Sequence, residues 1–227
     1  MIGITENYLN IKDLLAKCST RAGRTSDTIR LLAVSKKKSV DVILEAATLG
    51  QRDFGENFVQ EGLKKIQSCG RDDLIWHFIG HLQSNKTRAV AEHFHWVHTV
   101  DRLKIAVRLS DQRPHHVPNL NICIEVNIDS ESQKKGVQPA DVARLAHAVS
   151  KLPRVNLRGL MCLPAIQTDF EEQKKPFAAL SKIKDELNAG GLQLDTLSMG
   201  MSADYAAAIN EGATIVRIGT ALFGERL

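Results

Sequence analysis

The sequence predicts an α/β fold, a single (β/α)8 TIM barrel with a leading N-terminal helix, on three observations. Short apolar runs recur from Leu31 onward, each is followed by an amphipathic segment, and the pair repeats eight times within 227 residues. Taken in order, Ile4, Leu9, Ile11, Leu14 and Leu15 approximate a helical stripe that Gly23 and Thr25-Ser26 interrupt, which predicts the leading helix. Strands are expected at 31–35, 52–55, 75–80, 96–100, 121–128, 156–163, 196–200 and 214–219. Helical segments lie between them, among them 40–49, 101–109, 139–152 and 169–187. The runs read as apolar on both faces, as parallel strands covered by helices must be. Eight alternating units in this length favour closure into a barrel over an open doubly wound sheet. No stretch rich in Pro, Gly or Ser and no short repeat divides the chain, so residues 1–227 are expected to form one domain.

Composition narrows the class without naming a chemistry. A hydrophobic fraction of 43% and a charged fraction of 25% are those of an ordinary folding chain. The net charge of +4 is spread along the sequence, so nucleic acid is not an expected partner. Cys18, Cys69, Cys123 and Cys162 are widely spaced and form no C-x-x-C pair, which fits a reducing compartment and a cytoplasmic location. Met1 to Leu15 carries Glu6, Asn10, Lys12 and Asp13 among its apolar positions, so no signal peptide is read there, and no run approaches the ~20 apolar residues that span a bilayer.

In such a barrel the chemistry gathers at the carboxyl ends of the strands. Lys36 follows the first strand and shares parity with Leu32 and Val34, while Lys37 points the other way. If the even set faces inward, Lys36 enters the mouth over an apolar floor, an environment that disfavours the ammonium form and leaves an amine able to attack a carbonyl. The competing reading is a solvated charge run, Lys36 to Lys38. After strand seven, Ser198-Met199-Gly200-Met201-Ser202 is read as opening an Ala-rich helix from Ala203 to Ile209, whose free amides suit an anion. After strand eight, Val216-Arg217-Ile218-Gly219-Thr220 offers a cation, a glycine for close approach and a hydroxyl. Ser202 as a plain cap and Gly200 and Gly219 as plain turn residues are the bland alternative. A reactive lysine beside a phosphate cradle suits a phosphorylated aldehyde, and pyridoxal 5'-phosphate (PLP) fits. An Arg beside its pyridine nitrogen opposes protonation there and weakens the ring as an electron sink.

Six blocks then make the sequence resemble a known family: Leu32-Ala33-Val34-Ser35-Lys36, Phe54-Gly55-Glu56-Asn57, Trp76-His77-Phe78-Ile79-Gly80, Leu82-Gln83-Ser84-Asn85-Lys86, Leu197 to Ser202, and Val216 to Thr220. Together they resemble the pyridoxal-phosphate homeostasis proteins, relatives of the alanine racemase N-terminal barrel, from Leu32 to Arg226. The resemblance implies Lys36 as the Schiff-base residue, Asn57 beside the ring, Arg217 near the pyridine nitrogen, and Ser202, Gly219 and Thr220 on the phosphate. With Met201 from the same turn, these form the candidate cofactor-binding set; no catalytic or metal-binding residue is assigned. The implied function is that of a non-enzymatic carrier in PLP homeostasis, expected to be a monomer, with apo PLP-dependent enzymes as recipients. Phe58 departs from the family pattern, in which Tyr is common, and His81 stands at a variable position.

Several other motifs fail. Gly80 to Thr87 is one residue short of a nucleotide-binding P-loop and has Asn85 where the second glycine belongs. His93, His95 and His98 lack a metal-site pattern and read as ordinary polar residues. Glu125 and Asn127 share a parity that would line the mouth or sit as satisfied core groups, and they stay outside the site. Gly200 to Asp204 lacks the last glycine of a nucleophile elbow. Two rival functions remain, a PLP-dependent amino-acid enzyme of racemase type and a cofactor-free Schiff-base aldolase. The first is disfavoured because the chain stops seven residues after Thr220, and because Tyr8 and Tyr205 do not resemble a racemase acid/base tyrosine.

Overall fold

In the computed structural model, which describes residues 3–129, 131 and 135–224, the eight strands close into one parallel barrel in sequence order. Met1 and Ile2, which open the segment read for a targeting signal, and Arg226, the far limit of the family resemblance, lie outside the described residues. The helix α1 (Ile4–Arg21) comes first, followed by β1 (Arg30–Val34), α2 (Val40–Thr48), β2 (Asp53–Glu56), α3 (Val59–Cys69), β3 (Ile75–Phe78), α4 (Thr87–His93) and β4 (Trp96–Val100). The second half runs α5 (Leu103–Gln112), β5 (Leu120–Val126), α6 (Pro139–Val149), β6 (Val155–Cys162), α7 (Phe170–Ala189), β7 (Thr196–Met201), α8 (Tyr205–Asn210), β8 (Ile215–Ile218) and α9 (Thr220–Phe223). The predicted barrel and leading helix are thus observed. Closure comes from β1 pairing with β8, with Leu32 opposite Arg217, so the two ends of the sequence meet at one seam.

Two apolar clusters lie on either side of the barrel wall. Outward-facing Leu31, Ala33, Phe54, Trp76, Phe78 and Val97 pack beneath the helices, while Leu32, Trp96, Cys123, Met161 and Ile215 fill the interior. Leu32 faces inward, as the parity of the first strand requires for Lys36. The expectation of strands apolar on both faces needs correction, because His77, His98, Ser198 and Arg217 are buried between strands whose outer faces are apolar. Buried polar groups persist where each finds a hydrogen-bond partner, and these do.

The leading helix also differs in detail. Its buried residues are Tyr8, Ile11, Leu15 and Ser19, whereas Leu9 and Leu14 are exposed. Spacings of three and four put Tyr8, Ile11, Leu15 and Ser19 on one face, and Leu9 and Leu14 each fall about 100° out of phase with a neighbour in that row. After β7 the chain turns before entering a helix. Tyr205, not Ala203, opens α8, and Asp204 precedes it, so Ser202 is not the plain helix cap of the alternative reading. Among the described residues no helix is long and apolar enough to cross a membrane.

Candidate functional site

At the carboxyl end of the barrel a cavity of about 420 Å³ is lined by Lys36, Asn57, Met201, Ser202, Arg217, Gly219 and Thr220, with Val34, Ile79, Met161, Leu163 and Ala203. All seven residues of the predicted set therefore line one cavity. Val34, Ile79, Met161 and Leu163 give it an apolar surface against which a flat ring can pack.

The turn that presents Lys36 is held from beneath. Lys37 adopts φ +61°, a left-handed conformation that costs a non-glycine residue about 1 kcal/mol. Its N–H donates to Glu61 Oε1 at 2.5 Å. Lys65 Nζ donates to Ser35 O at 2.7 Å, to Glu56 Oε1 at 2.8 Å and to Glu61 Oε1 at 2.6 Å, and Ser35 Oγ donates to Glu56 Oε1 at 2.6 Å. Lys38 Nζ donates to the carbonyls of Phe223 and Gly224 at 3.0 and 3.1 Å, fastening the same turn to the last helix. The charge run of the sequence thus separates: Lys36 lines the cavity, while Lys38 ties down the chain behind it.

Arg217 is buried and firmly oriented. Its Nη1 donates to Ser198 O at 2.6 Å and Ser198 Oγ at 2.9 Å, and its Nη2 donates to Cys162 O at 2.9 Å. Burial lowers the pKa of this guanidinium from its ordinary value. Gly200 adopts φ +89° within the register shift between β7 and β8, and a Cβ on it would lie 2.6 Å from Ala208 Cβ, so both backbone and space favour glycine here. Met201 N–H donates to Asp204 Oδ1 at 2.6 Å, so the amide of Met201 is already engaged and the remaining donors of the turn come from its later residues. Gly80 has a packing reason as well. A Cβ there would lie 2.0 Å from Asn57 O, which accounts for this glycine of the failed P-loop by close approach to the strand-two loop. Asn57 Oδ1 is buried with no hydrogen-bond partner.

Sequence reasoning left out several groups that the barrel brings inside. Glu125 is buried, and its carboxyl is pushed up to about 7 by burial and by the neighbouring Asp101 charge, against the opposing pull of Arg217. His98, read as an ordinary polar residue, is wholly enclosed, with its pKa held well below the usual value by burial and by His77. His77, within the Trp76-His77-Phe78-Ile79-Gly80 block, is wholly buried too. The available signal was parity: His77 alternates with Ile75 and Ile79, and His98 with Trp96, which puts both on inward positions of adjacent strands. His93 and His95 behave as expected, His93 Nδ1 lying against Ala89 O and His95 Nδ1 accepting the Trp76 N–H. Phe58 is 53% exposed and does not line the cavity, nor does His81.

The family described as alanine racemase, N-terminal domain, matches residues 9–227. A protein of Vibrio cholerae named pyridoxal phosphate homeostasis protein is 50% identical over 230 residues, covering 100% of this chain and 98% of that protein. Its namesake in Pseudomonas aeruginosa is 52% identical over 226 residues, covering 100% and 97%. Among solved structures, PipY of Synechococcus elongatus with PLP bound is 36% identical, with a TM-score of 0.81, covering 92% of this chain and 100% of that one. An alanine racemase of Corynebacterium glutamicum, 15% identical with a TM-score of 0.71 over 96% of this chain and 59% of its own, shares the fold.

Proposed function

The chain belongs to the pyridoxal phosphate homeostasis protein family, which carries the alanine racemase N-terminal fold, and we propose that it binds PLP as a Schiff base on Lys36 and serves intracellular PLP homeostasis without turning over amino acids. The observation that carries this reading is the convergence of seven residues from the ends of β1, β2, β7 and β8 on one cavity. Their chemistry fits the ligand part by part. Lys36 supplies the nucleophilic amine. Ser202 and Thr220 supply hydroxyls to an anion, and Gly219 lets the backbone come close to it. Arg217 offers its cation where the ring nitrogen would lie, and Asn57 brings a buried oxygen whose hydrogen bonding is incomplete.

PLP, when bound, supplies an aldehyde that captures amines and a ring that withdraws electrons. The chain's own residues temper the second property. Arg217 is a donor only, so a ring nitrogen beside it stays unprotonated, which favours holding the cofactor over carbanion chemistry. Tyr8 and Tyr205, the two tyrosines of the sequence, do not line the cavity. On this reading the protein acts in the cytoplasm as a monomer and passes PLP to apo enzymes that need it.

Borohydride reduction of the PLP-loaded protein followed by peptide mass spectrometry tests the attachment. A phosphopyridoxyl group on Lys36 is expected, and labelling confined to Lys37 or Lys38 rejects the assignment. Mixing the loaded protein with an apo PLP enzyme and, separately, with each amino acid tests the carrier role. Transfer without turnover is expected; saturable turnover lost in Lys36→Ala would favour a racemase-like enzyme instead.

A further inference from the structure

The barrel interior contains a continuous polar file of which the proposed function uses only the first member, Arg217. It begins at Arg217 on β8, whose Nη1 donates to Ser198 Oγ on β7 at 2.9 Å. Ser198 Oγ lies 2.8 Å from His98 Nδ1 on β4. His98 Nε2 lies 2.9 Å from His77 Nδ1 on β3, and His77 Nε2 lies 2.9 Å from Asp53 Oδ1 on β2. Asp53 also meets Arg30 Nη1 at 3.3 Å. Asp53 and Arg30 are the first residues of their strands, so the file runs from the cofactor cavity to the opposite end of the barrel. Ser198, His77 and His98 are 0% exposed and Arg217 is 5% exposed, which keeps water from shortcutting it.

The two ends dictate where every proton sits. A guanidinium only donates and an ionised carboxylate only accepts. Ser198 Oγ accepts from Arg217 and therefore directs its own hydrogen to His98 Nδ1. His98, accepting at Nδ1, carries its proton on Nε2 and donates to His77 Nδ1. His77 in turn carries its proton on Nε2 and donates to Asp53. The opposite arrangement would need a protonated Asp53 and would leave the Ser198 hydroxyl, already accepting twice, without an acceptor in the file. All four bonds thus point from Arg217 towards Asp53, with both imidazoles neutral. Such a chain polarises along its length, each bond strengthening the next.

We propose that Ser198, His98, His77 and Asp53 are positioning residues for Arg217, a one-directional relay through which the Asp53 carboxylate at the far end of the barrel sets how firmly the guanidinium is held at the cofactor cavity. The consequence for PLP rests on the function proposed above; the arrangement of protons does not.

Two measurements separate these layers. Nitrogen-15 NMR of the histidine side chains in the protein without added PLP, assigned with His77→Gln and His98→Gln, should show two neutral Nε2–H tautomers from about pH 6 to 8. A Nδ1–H tautomer or an imidazolium at either position overturns the relay. The second measurement uses Asp53→Asn, which keeps shape and removes charge, with Asp53→Glu as the conservative control. With PLP bound, Asp53→Asn should move the visible absorption band and weaken PLP binding by about fivefold or more, and Asp53→Glu should recover much of both. An unchanged band and affinity in Asp53→Asn, in a protein whose circular dichroism matches wild type, would overturn the coupling. A wild-type protein that never develops a visible band would reject the PLP reading, and the NMR result would still decide the relay.

Discussion

Glu125 shows how far burial reaches at a single residue. Its carboxyl sits inside the barrel with its pKa pushed up to about 7, because burial and the Asp101 charge outweigh the attraction of Arg217. In the unfolded chain the group titrates near its ordinary value of 4.5, so between the two values the folded state binds more protons and stability falls as pH rises. Glu125→Gln removes that dependence. Its stability relative to wild type should improve by about 3 kcal/mol between roughly pH 4 and pH 8, measured by urea denaturation at each pH; a constant difference would show that the carboxyl is not held as described. Gly80 is a steric case. Any Cβ there meets Asn57 O, so Gly80→Ala should destabilise the fold by about 3 kcal/mol or more and weaken PLP binding together with it. A stable Gly80→Ala protein with unchanged PLP binding would contradict that account.

At the scale of elements, the loop between β1 and α2 depends on α3 for its shape. Lys65 on α3 is 6% exposed and reaches Ser35 O, Glu56 and Glu61 together, so one ammonium compensates two carboxylates and ties the strand end to the helix. Burial raises the pKa of Glu56, against its bonds to Lys65 and Ser35. Breaking a buried pair from one side leaves an uncompensated charge, at a cost of about 3–5 kcal/mol. Lys65→Met should therefore destabilise by about that much, and Lys65→Met with Glu56→Gln should recover part of the loss in a double-mutant cycle. Strict additivity of the two changes would mean that the contact contributes nothing. The Lys36 turn should also loosen in Lys65→Met, which slower labelling of Lys36 by PLP and borohydride would report.

Across the whole molecule, closure of the barrel assembles the site. Lys36 and Arg217 are brought together by the pairing of β1 with β8, and neither end of the chain holds PLP by itself on this reading. Ligand that binds only the closed barrel stabilises it by mass action, about 2.7 kcal/mol at a hundredfold excess over Kd. PLP should therefore raise the thermal midpoint, and unphosphorylated pyridoxal at equal concentration should raise it much less; equal shifts would remove the phosphate role from Ser202, Gly219 and Thr220. Much of this architecture was legible in the sequence because strand and helix periods are local. Eight apolar runs, the inward parity of Leu32 and Lys36, and the residues after strands seven and eight all follow from patterns a few residues long. The exact face of α1 was missed because Leu9 and Leu14 look apolar in sequence and fall off the buried stripe in three dimensions. Parity could have marked His77 and His98 as inward, but their hydrogen-bond partners, the raised Glu125 and the Lys65 anchor were not legible, because each depends on groups that belong to other strands or helices. The sequence alone determined the alternation of strands and helices and which residues stand at the strand ends. Only the tertiary structure decided what surrounds them, because burial and hydrogen-bond partnership arise when distant segments exclude water from a shared interior.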